Sequence, residues 1–493
     1  MDATLVATLT TPPGDGFEAE LADVAWLEVR ADLVGDLPPE PLRARFHGKL
    51  LYTLRSRAEG GVWEGSVERR KRRLLDAAER FDLIDLECSR DLSPDVLKAI
   101  PAQKRVISWH GAAASPAGLK ATFEKMSAAD AHLYKLVPTA SQSGEEIPAL
   151  LLLDSLKRRD VAAFSVGPIG AWTRLIAPRL GAPVVYGALG DVPGAPGQIT
   201  LRRLRKDFGL PALPPVQRLF GVVGNPVLHS LSPRLHNTAY RELGLPFLYL
   251  PFHVESFGDF WLEVVEGGAL EQIGMPLRGL SVTTPHKEAA LAVAAAASPR
   301  AELVGAANTL VNHQEVWEAE TTDLEGVVMP LRARGIDLAT RRAAVVGMGG
   351  AGRAAAEGLA VAGAQVTLVN RSTENGQRAA DLLKLPFVPL DEFEPSAFDL
   401  IVHATSLGRG AGEPLPFPLD GLRPGTVVVD LVYKAEPTPL LAAAAARGLT
   451  VVDGREVLVY QALGQFRWMT GREMPLPTAL RIVGLAEAPE DIP

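Results

Sequence analysis

The stretch GLPALPPVQ, Gly209–Gln217, divides the sequence into two parts with different patterns. Its closely spaced prolines predict a short, semi-rigid connection between folded units. Before the connection, a lysine lies within an apolar segment, HLYKLVP at Lys135; after it, another lies in SVTTPHKE at Lys287. We therefore predict two separate lysine-centred sites on one chain, and two reactions that could be consecutive.

Length and composition exclude several classes of protein. The chain has 493 residues, 47% hydrophobic and 22% charged, which predicts a globular protein of two or three domains. A net charge of −8 argues against a nucleic-acid partner, because phosphate binding needs a basic surface. The locally basic segment Glu68–Arg80 is expected to be a solvated helix face. No apolar run reaches the ~18 residues of a membrane span, and no signal peptide is apparent. The lone Cys88 excludes an intrachain disulfide and fits a reducing cytoplasm.

The first part alternates short apolar segments with helical patterns, which predicts a (β/α)8 barrel. The eight candidate strands are Thr4–Leu9, Ala25–Arg30, Leu50–Arg55, Phe81–Glu87, Arg105–His110, His132–Val137, Val161–Val166 and Val184–Ala188. In such barrels the active site lies at the C-terminal ends of the strands. Polar residues at or near those ends are Glu28, Arg30, Arg55, Glu87, His110, Lys135 and Ser165.

Lys135 is the most informative of these residues. Its neighbours Leu133, Tyr134, Leu136 and Val137 are apolar or aromatic, and a buried ammonium is unfavourable unless it is paired or functional. Burial and nearby cations lower the pKa of a lysine and leave a neutral amine that can attack a carbonyl. A lysine paired with a carboxylate is the alternative. His110, on the preceding strand, is a candidate general base, although a lone histidine is more often structural.

The segments LEVRADL, YTLRSRAEGG, DLE, ISWHG, YKLVP and APGQIT, in this order, resemble type I 3-dehydroquinate dehydratase over residues 1–210. The resemblance implies that Lys135 forms a Schiff base with the substrate ketone, that His110 removes the proton alpha to the iminium, and that Glu59 supports the histidine. The residues it implies for holding the substrate are Glu28, Arg30, Arg55, Arg174 and Gln198. Where the family has a serine before the final PGQ, this sequence has Gly194 or Ala195.

The segment after the connection, LFGVVGNPVLHSLSPRLHNTAY, indicates a strand, a turn and a helix. Ser230 and Ser232 lie near the predicted start of the helix, where free N–H groups and hydroxyls suit an anion. Simple capping by Ser232 is the alternative. A later strand, GLSVTTP, leads to Thr283 and Lys287, and the polar clusters AANTL and TTDLEG follow.

The segment RRAAVVGMGGAGRAAAEGLAVAGAQVTLVNRS indicates a strand, a glycine turn, a helix and a second strand, the pattern of a dinucleotide-binding Rossmann unit. The turn that would approach the pyrophosphate contains Gly347, Gly349, Gly350, Ala351 and Gly352. An NAD site usually has an acidic residue at the end of the second strand. Here the residues are Asn370, Arg371 and Ser372, which suit a 2′-phosphate and therefore favour NADP.

Taken in order, GNPVLHSLSP, SVTTPHKE, GAANTL, TTDLEG, GMGGAGR, NRS, DLVY and DGREVLVYQALGQF resemble shikimate dehydrogenase from about Phe220 to Val483. The resemblance implies that Lys287 and Asp323 flank the reacting carbonyl, the lysine polarising its oxygen and the aspartate orienting it. The substrate-pocket residues it implies are Ser230, Ser232, Thr283, Asn308, Tyr433 and Gln461. The sequence departs from the family by having Ser281, Thr321 and His403 where asparagine is usual.

These patterns predict a barrel over 1–210, a linker over 211–218, a substrate-binding lobe over 219–325, a Rossmann NADP lobe over 326–455, and helices over 456–493 that return to the substrate lobe. The favoured hypothesis is a bifunctional cytoplasmic enzyme of aromatic biosynthesis. It would dehydrate 3-dehydroquinate to 3-dehydroshikimate and reduce this product to shikimate with NADPH, without a metal and without a membrane or nucleic-acid partner. Two alternatives stay open: quinate as the second substrate, and a metabolite-sensing protein without catalysis, although its catalytic lysines would then be expected to be lost.

Overall fold

A computed structural model describes residues 3–14, 16–408, 410 and 412–485. Contacts divide the chain into two compact units. The first comprises Met1–Leu219, Asn225–Pro233 and Gly244–Leu277; the second comprises Phe220–Gly224, Arg234–Leu243 and Arg278–Pro493. The predicted lobe boundaries remain a prediction, and the last part of the predicted C-terminal segment, residues 486–493, lies outside the described residues.

Eight parallel strands form the core of the first unit. They are β1 (Thr4–Leu9), β2 (Val24–Arg30), β3 (Lys49–Thr53), β4 (Leu83–Glu87), β5 (Arg105–Ala112), β6 (Leu133–Thr139), β7 (Val161–Ala163) and β8 (Val184–Ala188). Their hydrogen-bonded order is β7–β6–β5–β4–β3–β2–β1–β8, a nearly closed ring. The strands are apolar and buried on both faces, as parallel strands covered by helices must be. The predicted (β/α)8 barrel is confirmed.

Helices connect the barrel strands. They are α1 (Ala31–Val34), α2 (Pro39–Arg43), α3 (Val67–Arg80), α4 (Pro94–Ala99), α5 (Pro116–Met126), α6 (Ile147–Leu156), α7 (Thr173–Ile176) and α8 (Leu201–Phe208). Ser66, Ser115 and Thr200 accept a backbone N–H at the starts of α3, α5 and α8. Each of these caps satisfies a donor that the first helical turn cannot use internally.

The region after the barrel contains a mixed sheet. Its strands are β9 (Arg218–Gly224), β10 (Phe247–His253), β11 (Leu277–Val282), β12 (Ala296–Ala297), β13 (Thr309–His313) and β14 (Val316–Glu320). Its helices are α9 (Ser232–Glu242), α10 (Phe257–Phe260), α11 (Ala269–Gln272), α12 (Lys287–Val293), α13 (Pro299–Val304) and α14 (Asp323–Ala333). Antiparallel pairing of β13 with β11 and β14 brings the ends of these strands, and the polar segments that follow them, to one region of the second unit.

The second unit also contains a parallel sheet of six strands. They are β15 (Arg342–Val346), β16 (Gln365–Asn370), β17 (Phe387–Pro389), β18 (Leu400–His403), β19 (Val427–Asp430) and β20 (Thr450–Val452), in the order β17–β16–β15–β18–β19–β20. The remaining helices are α15 (Gly350–Val361), α16 (Thr373–Leu383), α17 (Pro439–Ala446), α18 (Gly454–Thr470) and α19 (Leu476–Ile482). The strand order reverses between β15 and β18, which is where dinucleotides bind in such sheets. The predicted Rossmann lobe is confirmed.

The described residues contain no helix long and apolar enough to cross a membrane. Among the same residues, no group of three or more histidine, cysteine, aspartate or glutamate side chains is arranged to hold a metal ion.

The basic segment on α3 differs from its prediction at one position. Most of its charged side chains are exposed or half-buried, but Arg70 is buried. The Arg70 guanidinium donates from Nε and Nη2 to the two oxygens of Asp91, each at 2.7 Å, and from Nη1 to the Leu54 carbonyl at 2.5 Å. The inward position on the helix therefore carries an arginine that ties α3 to the barrel strands.

Replacing Arg70 with alanine should lower the free energy of unfolding by about 3–5 kcal/mol, because the Asp91 carboxylate would stay buried without its partner. Urea denaturation followed by tryptophan fluorescence measures this effect. The matched control is Arg69→Ala, an exposed arginine on the same helix, which should change stability by about 0.5 kcal/mol or less. Equal effects of the two substitutions would contradict the structural role of Arg70.

Candidate active sites

A cavity of about 330 Å³ lies within the barrel. It is lined by all eight residues predicted for this part of the chain: Glu28, Arg30, Arg55, Glu59, His110, Lys135, Arg174 and Gln198. They come from β2, β5 and β6 and from the segments that follow β3, β7 and β8. Residues far apart in the sequence therefore meet at one mouth, as the barrel topology requires.

Lys135 lies in the middle of β6 and is only 6% exposed. Its Nζ is 3.7 Å from Glu28 Oε1 and 4.0 Å from the centroid of the Tyr186 ring. The Glu28 carboxylate is shared, because it also accepts hydrogen bonds from the hydroxyls of Thr8 at 2.9 Å and Thr53 at 3.0 Å. Both interpretations of the sequence thus have a physical basis. Glu28 is close enough to pair with Lys135, but the same carboxylate also accepts two hydroxyl hydrogen bonds, which weakens its hold on the lysine.

The electrostatic environment favours the neutral amine of Lys135. Burial lowers the pKa of Lys135 from its ordinary value. The carboxylates of Glu28 and Asp85 oppose this shift, whereas the guanidinium groups of Arg55 and Arg30 reinforce it. A lowered pKa increases the fraction of free amine at neutral pH, which is the form that attacks a carbonyl.

His110 is held by Glu59. Glu59 Oε2 accepts from the backbone N–H of His110 at 3.0 Å and lies 3.1 Å from its Nδ1. An ionised Glu59 favours the tautomer that is protonated at Nδ1, which leaves the lone pair of Nε2 free to accept a proton. Burial lowers the pKa of His110 well below its ordinary value of 6.5, and the positive charges of Arg55 and Arg30 act in the same direction. At neutral pH this histidine is therefore a base.

Arg174 lines the same cavity and has N–H donors that the described residues leave unused. It is 2% exposed, and its Nη1 donates to the Tyr186 carbonyl at 3.3 Å. Its Nε and Nη2 have no hydrogen-bond partner within the described part of the chain. Burial lowers the pKa of Arg174 to about 10, so the group remains charged at neutral pH. A buried cation with two unused donors suits a carboxylate ligand.

Arg30 and Arg55 line the same cavity but are largely engaged within the protein. Arg30 donates to both oxygens of Asp32 at 2.8 Å and to the Gly194 carbonyl at 2.6 Å. Arg55 donates to Asp85 and to Ser108, each at 2.9 Å. They hold the walls of the cavity, and their contact with a ligand stays a prediction.

Two strand-end residues singled out from the sequence lie outside the cavity lining. Glu87 is buried and accepts hydrogen bonds from the backbone N–H and the hydroxyl of Ser56, at 2.8 and 2.7 Å. Ser165 is buried and donates to the Glu146 carbonyl at 3.3 Å. Both side chains have structural roles.

Sequence reasoning missed Thr8 and Tyr186, which also line the cavity. The Thr8 hydroxyl bridges Glu28 and Gln198, since it donates to the former at 2.9 Å and accepts from the amide of the latter at 3.0 Å. Thr8 lies opposite Glu28 in the β1–β2 register, so the alternation of the two strands carried a signal for it. Tyr186, on β8, had no comparable signal.

In the second unit, Lys287 and Asp323 form an ion pair between their Nζ and Oδ2 atoms. The other oxygen of Asp323 accepts from Asn308 Nδ2 at 2.9 Å. The aspartate is thus fixed on both sides, and the Lys287 ammonium is held in a defined position at the start of α12. The structure brings together the pair that the sequence predicted.

Asn308 connects this pair to α18. Its side-chain Nδ2 lies 3.4 Å from Gln461 Oε1, and its backbone carbonyl accepts from Gln465 Nε2 at 2.9 Å. Ser281, one of the departures from the family pattern, donates to Gln465 Oε1 at 2.8 Å. This serine therefore has a defined partner on α18. The other departure in this lobe, Thr321, is buried directly before Thr322 and Asp323.

The remaining predicted substrate residues occupy other segments. Ser230 and Ser232 are buried, and Ser230 Oγ accepts from the backbone N–H of Ser232 at 3.2 Å. The Ser230 hydroxyl therefore satisfies one backbone donor at the start of α9, and capping by Ser232 stays a prediction. Thr283 and Tyr433 are half-buried after β11 and β19. Their roles stay predictions.

A second cavity, of about 620 Å³, lies at the end of the parallel sheet. It is lined by Glu288, Gly305, Met348, Gly349, Arg353, Asn370, Asn375, Arg378, Ala379 and Leu382. Gly347 adopts a φ of +106°, and a Cβ at Gly352 would lie 1.8 Å from the Gly347 carbonyl oxygen. The turn into α15 therefore requires glycine at both positions.

The predicted cofactor residues after β16 differ in their relation to this cavity. Asn370 lines it and accepts from the backbone N–H of Met348 at 3.2 Å. Ser372 caps α16 by accepting from the N–H of Asn375 at 3.3 Å, and Arg371 is exposed; neither is among the lining residues. The arginine that borders the cavity from α16 is Arg378, which sequence reasoning missed because it lies beyond the strand end where the cofactor signal is usually sought.

His403, the third departure from the family pattern, is 1% exposed. Its Nδ1 is 2.8 Å from Asp430 Oδ1, and its Nε2 is 2.5 Å from the hydroxyl of Thr405. A Cβ at Gly347 would lie 2.8 Å from Thr405 Cγ2, so this network supports the segment packed against the glycine turn. The His403 side chain therefore acts as a local hydrogen-bonding group between Asp430 and Thr405.

The two parts of the chain match two protein families. Residues 18–210 match the model of type I 3-dehydroquinase, and residues 222–310 match that of the shikimate dehydrogenase substrate binding domain. A shikimate dehydrogenase (NADP(+)) from Syntrophobacter fumaroxidans is 38% identical over 267 residues, which cover 53% of this chain and 90% of that protein. The one from Acidiphilium cryptum is 43% identical and is covered to 89%.

A chloroplastic bifunctional 3-dehydroquinate dehydratase/shikimate dehydrogenase from Arabidopsis thaliana is 28% identical over 486 residues, which cover 92% of this chain and 78% of that protein. Among solved structures, the shikimate dehydrogenase of Aquifex aeolicus is similar with a TM-score of 0.50 and 32% identity, covering 54% of this chain and 98% of the other.

The fold and sites define a (β/α)8 barrel with a buried lysine in its cavity, joined to a two-lobed, dinucleotide-binding dehydrogenase. The chain belongs to the shikimate dehydrogenase family and carries a type I 3-dehydroquinase domain ahead of that region.

Glu59 should impose a pH dependence on the barrel site. Burial raises the pKa of Glu59 to about 7 from its ordinary value of 4.5, while Arg55 opposes the shift. An ionised Glu59 stabilises the positive charge that His110 acquires when it takes a proton, so kcat at this site should fall as the pH drops through about 7. The pKa of His110 lies well below 6.5, so protonation of His110 does not explain this fall in kcat near pH 7.

The control is Glu59→Gln, whose kcat should not fall as the pH drops through about 7. The raised pKa also means that the unfolded chain ionises first, so stability relative to this variant should decrease as the pH rises from 4.5 to about 7. An unchanged fall in kcat in the variant would assign the titration to another group.

Arg378 should contribute to the preference for NADPH. Its replacement by alanine should raise the Kd for NADPH by a factor of about 10, because a charged hydrogen bond to a phosphate contributes about 1.5–3 kcal/mol. The Kd for NADH should not change. Fluorescence titration measures both, with the exposed Arg447→Ala as the control. A parallel loss of NADH affinity would show that Arg378 does not read the 2′-phosphate.

Proposed function

We propose that this chain is a bifunctional enzyme that dehydrates 3-dehydroquinate to 3-dehydroshikimate and then reduces this product to shikimate with NADPH. In this proposal residues 1–210 carry the dehydratase, and residues 219–325, 326–455 and 456–493 together form the dehydrogenase. The observation that carries it is the buried Lys135 amine in one cavity with the His110–Glu59 pair and with Arg174, whose Nε and Nη2 have no hydrogen-bond partner among the described residues. The name of the Arabidopsis relative, which spans both parts, supports the combination.

The dehydratase reaction follows from the roles of the side chains. The Arg174 guanidinium binds the substrate carboxylate and turns the ketone toward Lys135. The neutral amine adds to the carbonyl carbon, water leaves, and the resulting iminium withdraws electrons from the neighbouring carbon. His110 Nε2 takes the proton from that carbon and returns it to the departing hydroxyl, so that a second water is released. Hydrolysis of the imine then frees Lys135 and the unsaturated ketone.

The dehydrogenase reaction uses the second lysine as a charged group. The Lys287 ammonium donates a hydrogen bond to the carbonyl oxygen and stabilises the negative charge that develops there during reduction. The same group supplies the proton that completes the hydroxyl. Asp323 keeps Lys287 oriented, and Asn308 keeps Asp323 oriented.

The residues around the second cavity fit an NADP cofactor, which supplies the hydride when bound. The glycine turn allows a pyrophosphate to approach the backbone at the start of α15, because Gly347 and Gly352 carry no side chain. The residues after β16 are Asn370, Arg371 and Ser372, and Arg378 adds a positive charge. None of these residues would repel a 2′-phosphate.

The proposed partners are the small molecules 3-dehydroquinate, 3-dehydroshikimate and shikimate. We place the reaction in the cytoplasm, because the only cysteine, Cys88, is a free thiol that suits a reducing compartment.

A coupled assay with the purified chain tests the proposal. With 3-dehydroquinate and NADPH, the protein should oxidise NADPH and accumulate shikimate. Lys135→Ala should abolish the dehydratase step while 3-dehydroshikimate is still reduced, and Lys287→Ala should slow reduction by a factor of about 100 or more while dehydration continues. An unmodified chain that neither oxidises NADPH nor forms shikimate would refute the proposal. Faster turnover of quinate than of shikimate in the reverse direction would support the quinate alternative.

A further inference from the structure

We infer that Arg203, on the last helix of the barrel, is a positioning residue for the dehydrogenase, because it holds the backbone of the segment that carries Ser230. The inference rests on the proposed function and on the prediction from the sequence that Ser230 lines the substrate pocket of the second reaction. It goes further because it assigns the positioning of Ser230 to a residue of the barrel.

The Arg203 guanidinium donates to three acceptors. Its Nη1 donates to the carbonyl of Leu228, its Nη2 to the carbonyl of Ser230 at 3.3 Å, and its Nε to Asp207 Oδ2 at 2.6 Å. Two backbone carbonyls and one carboxylate thus surround a single planar group. A planar guanidinium matches such a set of acceptors, whereas a point charge such as ammonium does not.

The arginine is held on the barrel side. Asp207, one turn further along α8, is 1% exposed, and the Thr200 hydroxyl caps the helix by accepting the backbone N–H of Arg203 at 3.3 Å. The buried residues Leu204 and Phe208 attach the same helix to the barrel. The position of the guanidinium is therefore set by the barrel and not by the segment it contacts.

The segment on the other side is a turn whose conformation decides where the Ser230 hydroxyl lies. The backbone N–H of Ser230 donates to the Val227 carbonyl at 2.9 Å, and the Ser230 hydroxyl accepts from the N–H of Ser232 at 3.2 Å. Ser230 is 7% exposed. Arg203 holds two carbonyls of this turn, so neither the Leu228–His229 peptide plane nor the plane that follows Ser230 can rotate without breaking a charged hydrogen bond.

A separate apolar contact joins the barrel to a later segment of the first unit. The rings of Trp172 and Phe252 meet edge to face, with centroids 5.2 Å apart, and both side chains are 1% exposed. Trp172 precedes α7 of the barrel, and Phe252 lies on β10.

The test compares Arg203→Ala and Arg203→Lys in the full chain with Arg202→Ala. Arg202 is an exposed neighbour whose ion pair is with Asp191. In the shikimate-to-3-dehydroshikimate direction, Arg203→Ala should raise the KM for shikimate about tenfold, corresponding to the loss of charged hydrogen bonds. The KM for NADP⁺ and both dehydratase constants should stay unchanged. The lysine variant should recover part of the loss, and Arg202→Ala should match the unmodified chain.

Several outcomes would overturn the inference. One is an unchanged KM for shikimate in Arg203→Ala, and another is an equal rise in the KM for NADP⁺. If Arg203→Ala fails to fold, Asp207→Asn replaces it: this variant removes the charge that orients the guanidinium, and an unaltered KM for shikimate would then count against the inference.

Ser230→Ala separates this inference from the proposed function. If it raises the KM for shikimate while the Arg203 variants do not, the positioning role fails and the proposed role of Ser230 stands. If Ser230→Ala leaves that KM unchanged, the role of Ser230 itself is wrong, and the inference falls with it.

Discussion

The interaction on which the barrel site depends is the burial of the Lys135 amine beside a carboxylate that it must share. Glu28 lies 3.7 Å from the amine but accepts hydrogen bonds from Thr8 and Thr53 as well. A carboxylate held only by the lysine would stabilise the ammonium and raise its pKa. Because burial dominates instead, the pKa of Lys135 is lowered, and a larger fraction of its amine is neutral.

The second lysine occupies the opposite environment. Lys287 is paired with Asp323, and the second oxygen of that aspartate is occupied by Asn308. An ion pair supported in this way holds the amino group of Lys287 in one position, as the proposed polarisation of a carbonyl requires. In the proposed function the two lysines have different roles, and their carboxylate neighbours differ: Glu28 lies 3.7 Å from Lys135 and accepts from two hydroxyls, whereas Asp323 is ion-paired with Lys287.

The sequence was sufficient for the features that depend on local pattern. The eight barrel strands, the glycine turn and both lysines follow from apolar segments and motif order, and the strands β1 and β8 agree with their predicted bounds. Features set by packing between distant segments were not accessible. Arg70 turns inward because Asp91 lies opposite it, Arg378 reaches the cavity because α16 runs along its edge, and Arg203 contacts a turn that follows the connection. No local pattern distinguishes these arginines from their exposed neighbours.

Borohydride reduction in the presence of 3-dehydroquinate, followed by mass spectrometry of the digested protein, tests the central claim most directly. The account predicts a reduced substrate adduct on the peptide that contains Lys135, none on the peptide that contains Lys287, and no adduct in Lys135→Ala. An adduct that persists in Lys135→Ala, or one located on Lys287, would contradict the assignment of a neutral nucleophile to the barrel and a charged polarising group to the dehydrogenase.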